Sequence, residues 1–272
     1  MERKKRIFLY SILTVILVLI ISFTMLFTSY GSVLVSTLTV NEGLLLGLVV
    51  IIGRILILGI MSFFLCRKWL KQEAIYTSDA YFLFGSFFGI LSCGKIYDIF
   101  YNLAVISTTF DAEFLLFLLK IRFFIIVVNV MPILYIGLEV IITFFNMYKN
   151  KEMDKKQFNK LRLRIILIFT VVLVLVISLA PTTNFLSTIL PFITLVIFLG
   201  IAIMFLFMYK NKRLSQANGL IIGIAFICFI ASNLLRSILL SELYYIVFIE
   251  LIDIGVSLLI FIGFVTKPKY AK

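Results

Sequence analysis

The chain reads as an all-α integral membrane protein of eight transmembrane helices, and three observations lead there. First, of its 272 residues 63% are hydrophobic and only 14% charged. Soluble domains hold about 45–50% apolar and about 25% charged residues, and a surplus this large does not fit inside a water-soluble core. Second, continuous apolar runs recur along the whole length, each close to the roughly 20 residues a helix needs to cross a bilayer. Third, the Lys and Arg residues gather in alternate loops, the mark of a defined orientation in a membrane.

Eight runs are found, near residues 7–27, 44–66, 81–101, 117–145, 165–183, 185–208, 219–240 and 244–265. Because they are continuously apolar, they are helices and not barrel strands, which alternate. The first follows Arg3, Lys4, Lys5 and Arg6, and with no small-residue cleavage site after it, it reads as an uncleaved span. The second ends in Arg67, Lys68 and Lys71. The third opens with Gly85 and Gly89, a G-x-x-x-G pair that lets helix backbones approach. The fourth carries Pro132, which would either interrupt it near Asn129 and free backbone carbonyls or, as prolines more often do, only kink it. Between the fourth and fifth lie Lys149, Lys151, Lys155, Lys156, Lys160, Arg162 and Arg164; Lys210, Lys212 and Arg213 follow the sixth. The seventh opens with a second G-x-x-x-G, Gly219 and Gly223, and Lys267, Lys269 and Lys272 follow the eighth. The other loops hold Glu42, Asp111, Glu113 and Glu242 and no Lys or Arg. This places both termini in the cytoplasm, and the net charge of +12 is mainly a matter of topology. The implied location is the cell membrane, in many passes. Anionic lipid headgroups are the natural partners of the basic loops. No segment builds the basic soluble face that nucleic-acid binding needs.

The nonapeptide TVILVLIIS at 14–22 returns as TVVLVLVIS at 170–178. Leu58-Gly59-Ile60 is matched by Leu199-Gly200-Ile201, and the two G-x-x-x-G runs follow in the same order. The chain therefore divides into a first four-helix half (1–148), a basic cytoplasmic loop (149–164) and a second four-helix half (165–272). The expected relation is a 4+4 parallel repeat about an axis along the membrane normal.

Charges left inside the runs point to function. Each costs roughly 2.5–3.5 kcal/mol at a helix centre, so such groups seek a partner or water. Arg54, Lys95, Asp98, Lys120, Arg122, Arg236, Glu250 and Asp253 all fall in the outer half under this topology, and Glu139 sits alone toward the cytoplasm. Helical spacing puts Lys95, Asp98 and Asn102 on one stripe, Arg122 with Asn129, Asn233 with Arg236, and Glu250 with Asp253 and Ser257. The expectation is an outward-facing polar cavity with a positive surplus, suited to a small anionic solute or a lipid headgroup. That makes a transporter or permease-like protein the first reading. A second is a membrane sensor acting through a separate cytoplasmic partner: the stretch from Gly85 to Phe145, with its Arg122-x₉-Pro132 helix, resembles the multi-span sensor regions that precede histidine kinases. A third is a non-catalytic structural subunit of a membrane complex. An enzyme is not expected, because there is no histidine and no G-x-S-x-G. Nor is a cofactor or metal: Cys66, Cys93 and Cys228 are scattered and read as packing residues.

Overall fold

A computed structural model of the chain describes residues 2–40, 43–73, 75–148, 154–212, 214, 217–239 and 243–271. Glu42, Lys149, Lys151, Arg213, Glu242 and Lys272, cited above for their loops, lie outside that set. Among the described residues the regular structure is helical throughout: α1 (Glu2–Ser29), α2 (Gly31–Val40), α3 (Gly43–Leu70), α4 (Ala80–Ser107), α5 (Ala112–Tyr148), α6 (Lys155–Leu179), α7 (Thr183–Lys210), α8 (Gly219–Leu239) and α9 (Leu243–Val265), then a short 3₁₀ turn at Lys269–Ala271. Eight of the helices are long and apolar enough to cross a membrane, and they match the eight runs one for one. Hydrocarbon offers no partner to a bare N–H or C=O, and the helix satisfies both within one segment.

Three features differ from the sequence reading. Helix α2 is additional: its ten residues, GSVLVSTLTV, are too few to cross a bilayer, and their β-branched character hides the helix. The basic segment 149–164 is not a loop throughout, because α6 begins at Lys155. The stretch KKQFNKLRLR is rich in good helix formers and free of Gly and Pro, so the helix continues beyond the apolar run. Helix α5 passes through Pro132 unbroken over 37 residues. The interruption near Asn129 does not occur, since a proline removes only one N–H from the ladder.

Consecutive helices pack in antiparallel pairs, α3 with α4, α4 with α5, α7 with α8 and α8 with α9. Two further contacts join distant parts of the chain, α3 with α9 and α5 with α7. The main core lies where these six helices meet. It holds Leu58, Phe88, Ile133, Phe205, Phe226 and Ile260, all nearly inaccessible. A second, aromatic cluster sits at one end, where α2 covers Phe100 and Leu103 of α4 and Tyr30 meets Phe100, Phe110 and Phe114. Helix α1 is peripheral and touches the bundle through Phe8 on Trp69 and Phe27 on Phe100. The outward aliphatics of α1 and α6, such as Leu17 and Leu167, are 58% and 64% exposed, a surface suited to lipid and not to water.

The glycine pairs do what their spacing predicts. A Cβ on Gly85 would sit 2.9 Å from Cys66 Sγ, and one on Gly89 2.9 Å from Ser62 Oγ. The Ser62 hydroxyl uses this approach to donate to the Gly85 carbonyl at 2.8 Å. In α8 the contact is tighter: a Cβ on Gly219 would meet the Phe205 carbonyl oxygen at 2.6 Å, and one on Gly223 would meet Leu206 at 2.6 Å. A backbone oxygen cannot swing aside. Gly219→Ala is therefore expected to cost about 1–3 kcal/mol, read as a lower thermal midpoint in detergent. Gly59→Ala, where a Cβ meets nothing within 4 Å, is the control and should leave the midpoint unchanged or slightly raised.

Candidate functional site

Seven charged side chains from five helices meet inside the bundle. Helix α9 presents Glu250 and Asp253 on one face because they are three residues apart. Glu250 is the hub. Its Oε2 accepts from Arg54 Nη1 of α3 at 2.5 Å, and its Oε1 accepts from Lys95 Nζ of α4 at 3.0 Å and from Arg236 Nη2 of α8 at 2.8 Å. Asp253 Oδ2 accepts from Arg54 Nη1 at 2.6 Å and from Arg236 Nη2 at 2.7 Å, and its Oδ1 accepts from the Ser232 hydroxyl. Within α4, Lys95 also faces Asp98 at 3.2 Å. Asp98 in turn accepts from Arg122 Nε of α5 at 2.7 Å, while the Tyr101 ring lies 5.4 Å from the Arg122 guanidinium.

The cluster lies toward the end of the bundle that carries α2 and the α4–α5 connection. Its centre is dry: Arg54 and Glu250 are each 1% exposed and Asp253 3%. Charges that deep persist only if paired, and the pairing is dense. The rim is different, because the Arg122 and Arg236 side chains keep 27% and 19% of their accessibility. Where the sequence predicts a polar cavity, these side chains meet one another directly. Opposite charges on facing helices are satisfied more cheaply by contact than by separate hydration in a low-dielectric interior. A crevice of about 50 Å³ between α2, α3 and α4 is lined by apolar residues and by Asn102.

Of the residues singled out from sequence, Arg54, Lys95, Asp98, Arg122, Arg236, Glu250 and Asp253 converge. Lys120 does not join any of these ion pairs. Its Nζ donates to the Ser178 carbonyl at 2.9 Å, in the last turn of α6, where helix carbonyls lack internal partners. Asn129 is buried outside the network, with its Oδ1 unpartnered among the described residues. Asn233, expected beside Arg236, is exposed and donates to the Phe229 carbonyl. Ser232 takes the inward place instead. The available signal was its spacing of four from Arg236, which puts both on one face.

Glu139 is not alone. Arg162, assigned to the basic loop by its neighbours in sequence, turns inward from the first turns of α6 and donates to Glu139 Oε2 at 2.6 Å. It also bonds Asn159 Oδ1 at 2.9 Å and the Tyr135 hydroxyl, and its guanidinium carbon lies 3.6 Å from the centre of the Tyr135 ring. Arg162 is only 3% exposed. This clasp joins α5 to α6 at the opposite end of the bundle from the seven-residue network.

No known protein family, characterised protein or solved structure matches the chain. The reading of function rests on the geometry above.

Proposed function

We propose that this is a transporter or permease-like protein of the cell membrane, with both termini cytoplasmic and a solute path between two four-helix halves that the ion network holds shut. The observation that carries this reading is that the network's deepest pairs cross from one half to the other. Arg54 and Lys95 belong to residues 1–148, and Arg236, Glu250 and Asp253 to 165–272. Charges that must part for the halves to separate are a natural gate, and burial at a repeat interface is where transporter sites are built.

The pattern of contacts supports the repeat. Exchanging α3 with α7, α4 with α8 and α5 with α9 turns every close pair of inner helices into another: α3–α4 into α7–α8, α4–α5 into α8–α9, and α3–α9 into α7–α5. The glycines agree. Aligning Leu58-Gly59-Ile60 with Leu199-Gly200-Ile201 puts Ser62 and Cys66 on Ile203 and Phe207. Those two positions fall in the stretch of α7 that Gly219 and Gly223 touch, as Gly85 and Gly89 touch Ser62 and Cys66. The outer helices depart from the pattern, since α6 packs on α5 while α1 stands apart. Orientation follows from the alternate basic loops and sets the network in the outer half.

The test is uptake of labelled solutes into proteoliposomes holding the purified protein. Uptake above that of empty vesicles is expected, and its loss is expected in Asp253→Asn, which keeps the shape of the side chain and an acceptor for Ser232. Elution as a single species checks that the variant is folded. The density of pairing favours one other reading, a structural subunit whose charges only hold the bundle together. If wild type and Asp253→Asn both give no uptake while deletion of the protein dismantles a membrane complex, that reading replaces transport.

A further inference from the structure

We propose that the rim of the ion network binds one oxyanion, a carboxylate or phosphate group, between Arg122 and Arg236. This deepens the reading of the network as a solute site and rests on it. Four cations, Arg54, Lys95, Arg122 and Arg236, face three carboxylates, Asp98, Glu250 and Asp253. Lys120, spent on the α6 carbonyl, does not enter the count. Among the described residues one positive charge is thus unmatched, in a setting where an unmatched charge is costly.

The network is short of acceptors as well as of charge. Arg54 Nε is fully buried and has no hydrogen-bond partner among the described residues. The shortage is reachable only at the rim, because the side chains of Arg54, Lys95 and Glu250 are at most 8% exposed. Of the five N–H donors each guanidinium carries, Arg122 gives Nε to Asp98, and Arg236 gives Nη2 to the two α9 carboxylates. The remaining edges of both are free of other partners among the described residues. The two arginines are linked through the network: Asp98, which accepts from Arg122 at 2.7 Å, faces Lys95 at 3.2 Å, and Lys95 and Arg236 both donate to Glu250 Oε1, at 3.0 and 2.8 Å. The Tyr101 ring, 5.4 Å from the Arg122 guanidinium, helps fix its orientation. A planar guanidinium with unspent N–H groups pairs best with the two oxygens of a carboxylate or phosphate. A fourth acid would balance the charge of the described set and accept from the unspent N–H groups of the two rim arginines, while Arg54 Nε stays beyond its reach.

The same chemistry is offered by a soluble acid and by a lipid headgroup, and the experiment separates them. The full-length protein is placed in nanodiscs of neutral phosphatidylcholine, and thermal stability is followed as inorganic phosphate or acetate replaces chloride at constant ionic strength. A parallel set uses nanodiscs containing phosphatidylglycerol without added phosphate. A saturable rise in midpoint with phosphate or acetate, with affinity reduced about tenfold or more in Arg122→Gln and in Arg236→Gln, establishes a soluble oxyanion as the ligand. A rise confined to the phosphatidylglycerol discs, and lost in the same variants, establishes the headgroup. No rise in any arm, or a rise equal in wild type and both variants, overturns the site. Transport does not enter this readout: absence of uptake with binding intact counts against the transport reading alone, and uptake with no binding response counts against the site alone.

Discussion

Glu250→Leu is expected to be the most damaging single substitution in the network. Glu250 accepts from three cations, Arg54, Lys95 and Arg236, and no other residue in the cluster has so many charged partners among the described residues. Its removal leaves four cations facing two carboxylates, in a site where Arg54 is 1% exposed. Breaking a buried pair by deleting one member costs about 3–5 kcal/mol, because the stranded partner stays in low dielectric. Three cations lose a partner here, so the upper part of that range is expected, read as loss of the folded, monodisperse species on mild heating in detergent. The rim sets the contrast. Arg122 keeps 27% of its side-chain accessibility, and Arg122→Gln should cost no more than about 1 kcal/mol, as partly solvated pairs do. Charge balance supplies a second check. Lys95→Met added to Glu250→Leu removes one of the stranded cations and should recover part of the loss, a coupling of roughly 0.5–3 kcal/mol between contacting residues. If Glu250→Leu proves no worse than Arg122→Gln, the cluster is not organised around a dry centre.

What the sequence could and could not disclose follows from which forces are local. Membrane spans were legible because hydrocarbon imposes the same demand on every segment, about 20 apolar residues in a helix. The packing role of Gly85, Gly89, Gly219 and Gly223 was legible because four-residue spacing fixes a face whatever lies opposite. The charged set was legible through cost alone: a buried Arg54 or Asp253 must be answered by something. What answers it depends on which helices become neighbours, and that is tertiary. Sequence therefore placed Lys120 beside the others by depth, while the α6 carbonyls claimed it, an acceptor no side-chain pattern announces. The same gap hid Arg162. Among six other basic residues it reads as one more loop charge, and only its phase on α6 turns it toward Tyr135 and Glu139. Helix α2 was lost for another reason: ten residues rich in Val, Ser and Thr carry no helical period to detect.

Arg162→Ala is expected to free the first turns of α6 from α5 while leaving the distant network intact. The partners of Arg162 are unequal. The carboxylate of Glu139 is 54% exposed, so water competes for it and the ion pair contributes at most about 1 kcal/mol. The Tyr135 ring, 3.6 Å from the guanidinium carbon, acts on an arginine that is 3% exposed, where cation–π attraction reaches about 2 kcal/mol or more. The ring and the burial of the arginine stem should therefore matter more than the formal salt bridge. The expected order of damage is Arg162→Ala, then Tyr135→Ala, then Tyr135→Phe, which keeps the ring and loses the hydroxyl, with Glu139→Gln smallest. Hydrogen–deuterium exchange over residues 155–166 reads it directly: local opening should rise by orders of magnitude in the first two variants and by tenfold or less, about 1.4 kcal/mol, in the last. Exchange in α9 around Glu250 should stay as in the wild type, because the clasp and the network occupy opposite ends of the bundle. Should Glu139→Gln open α6 as far as Tyr135→Ala does, the clasp is held by charge and not by the ring, and α6 docking would then weaken steeply with added salt.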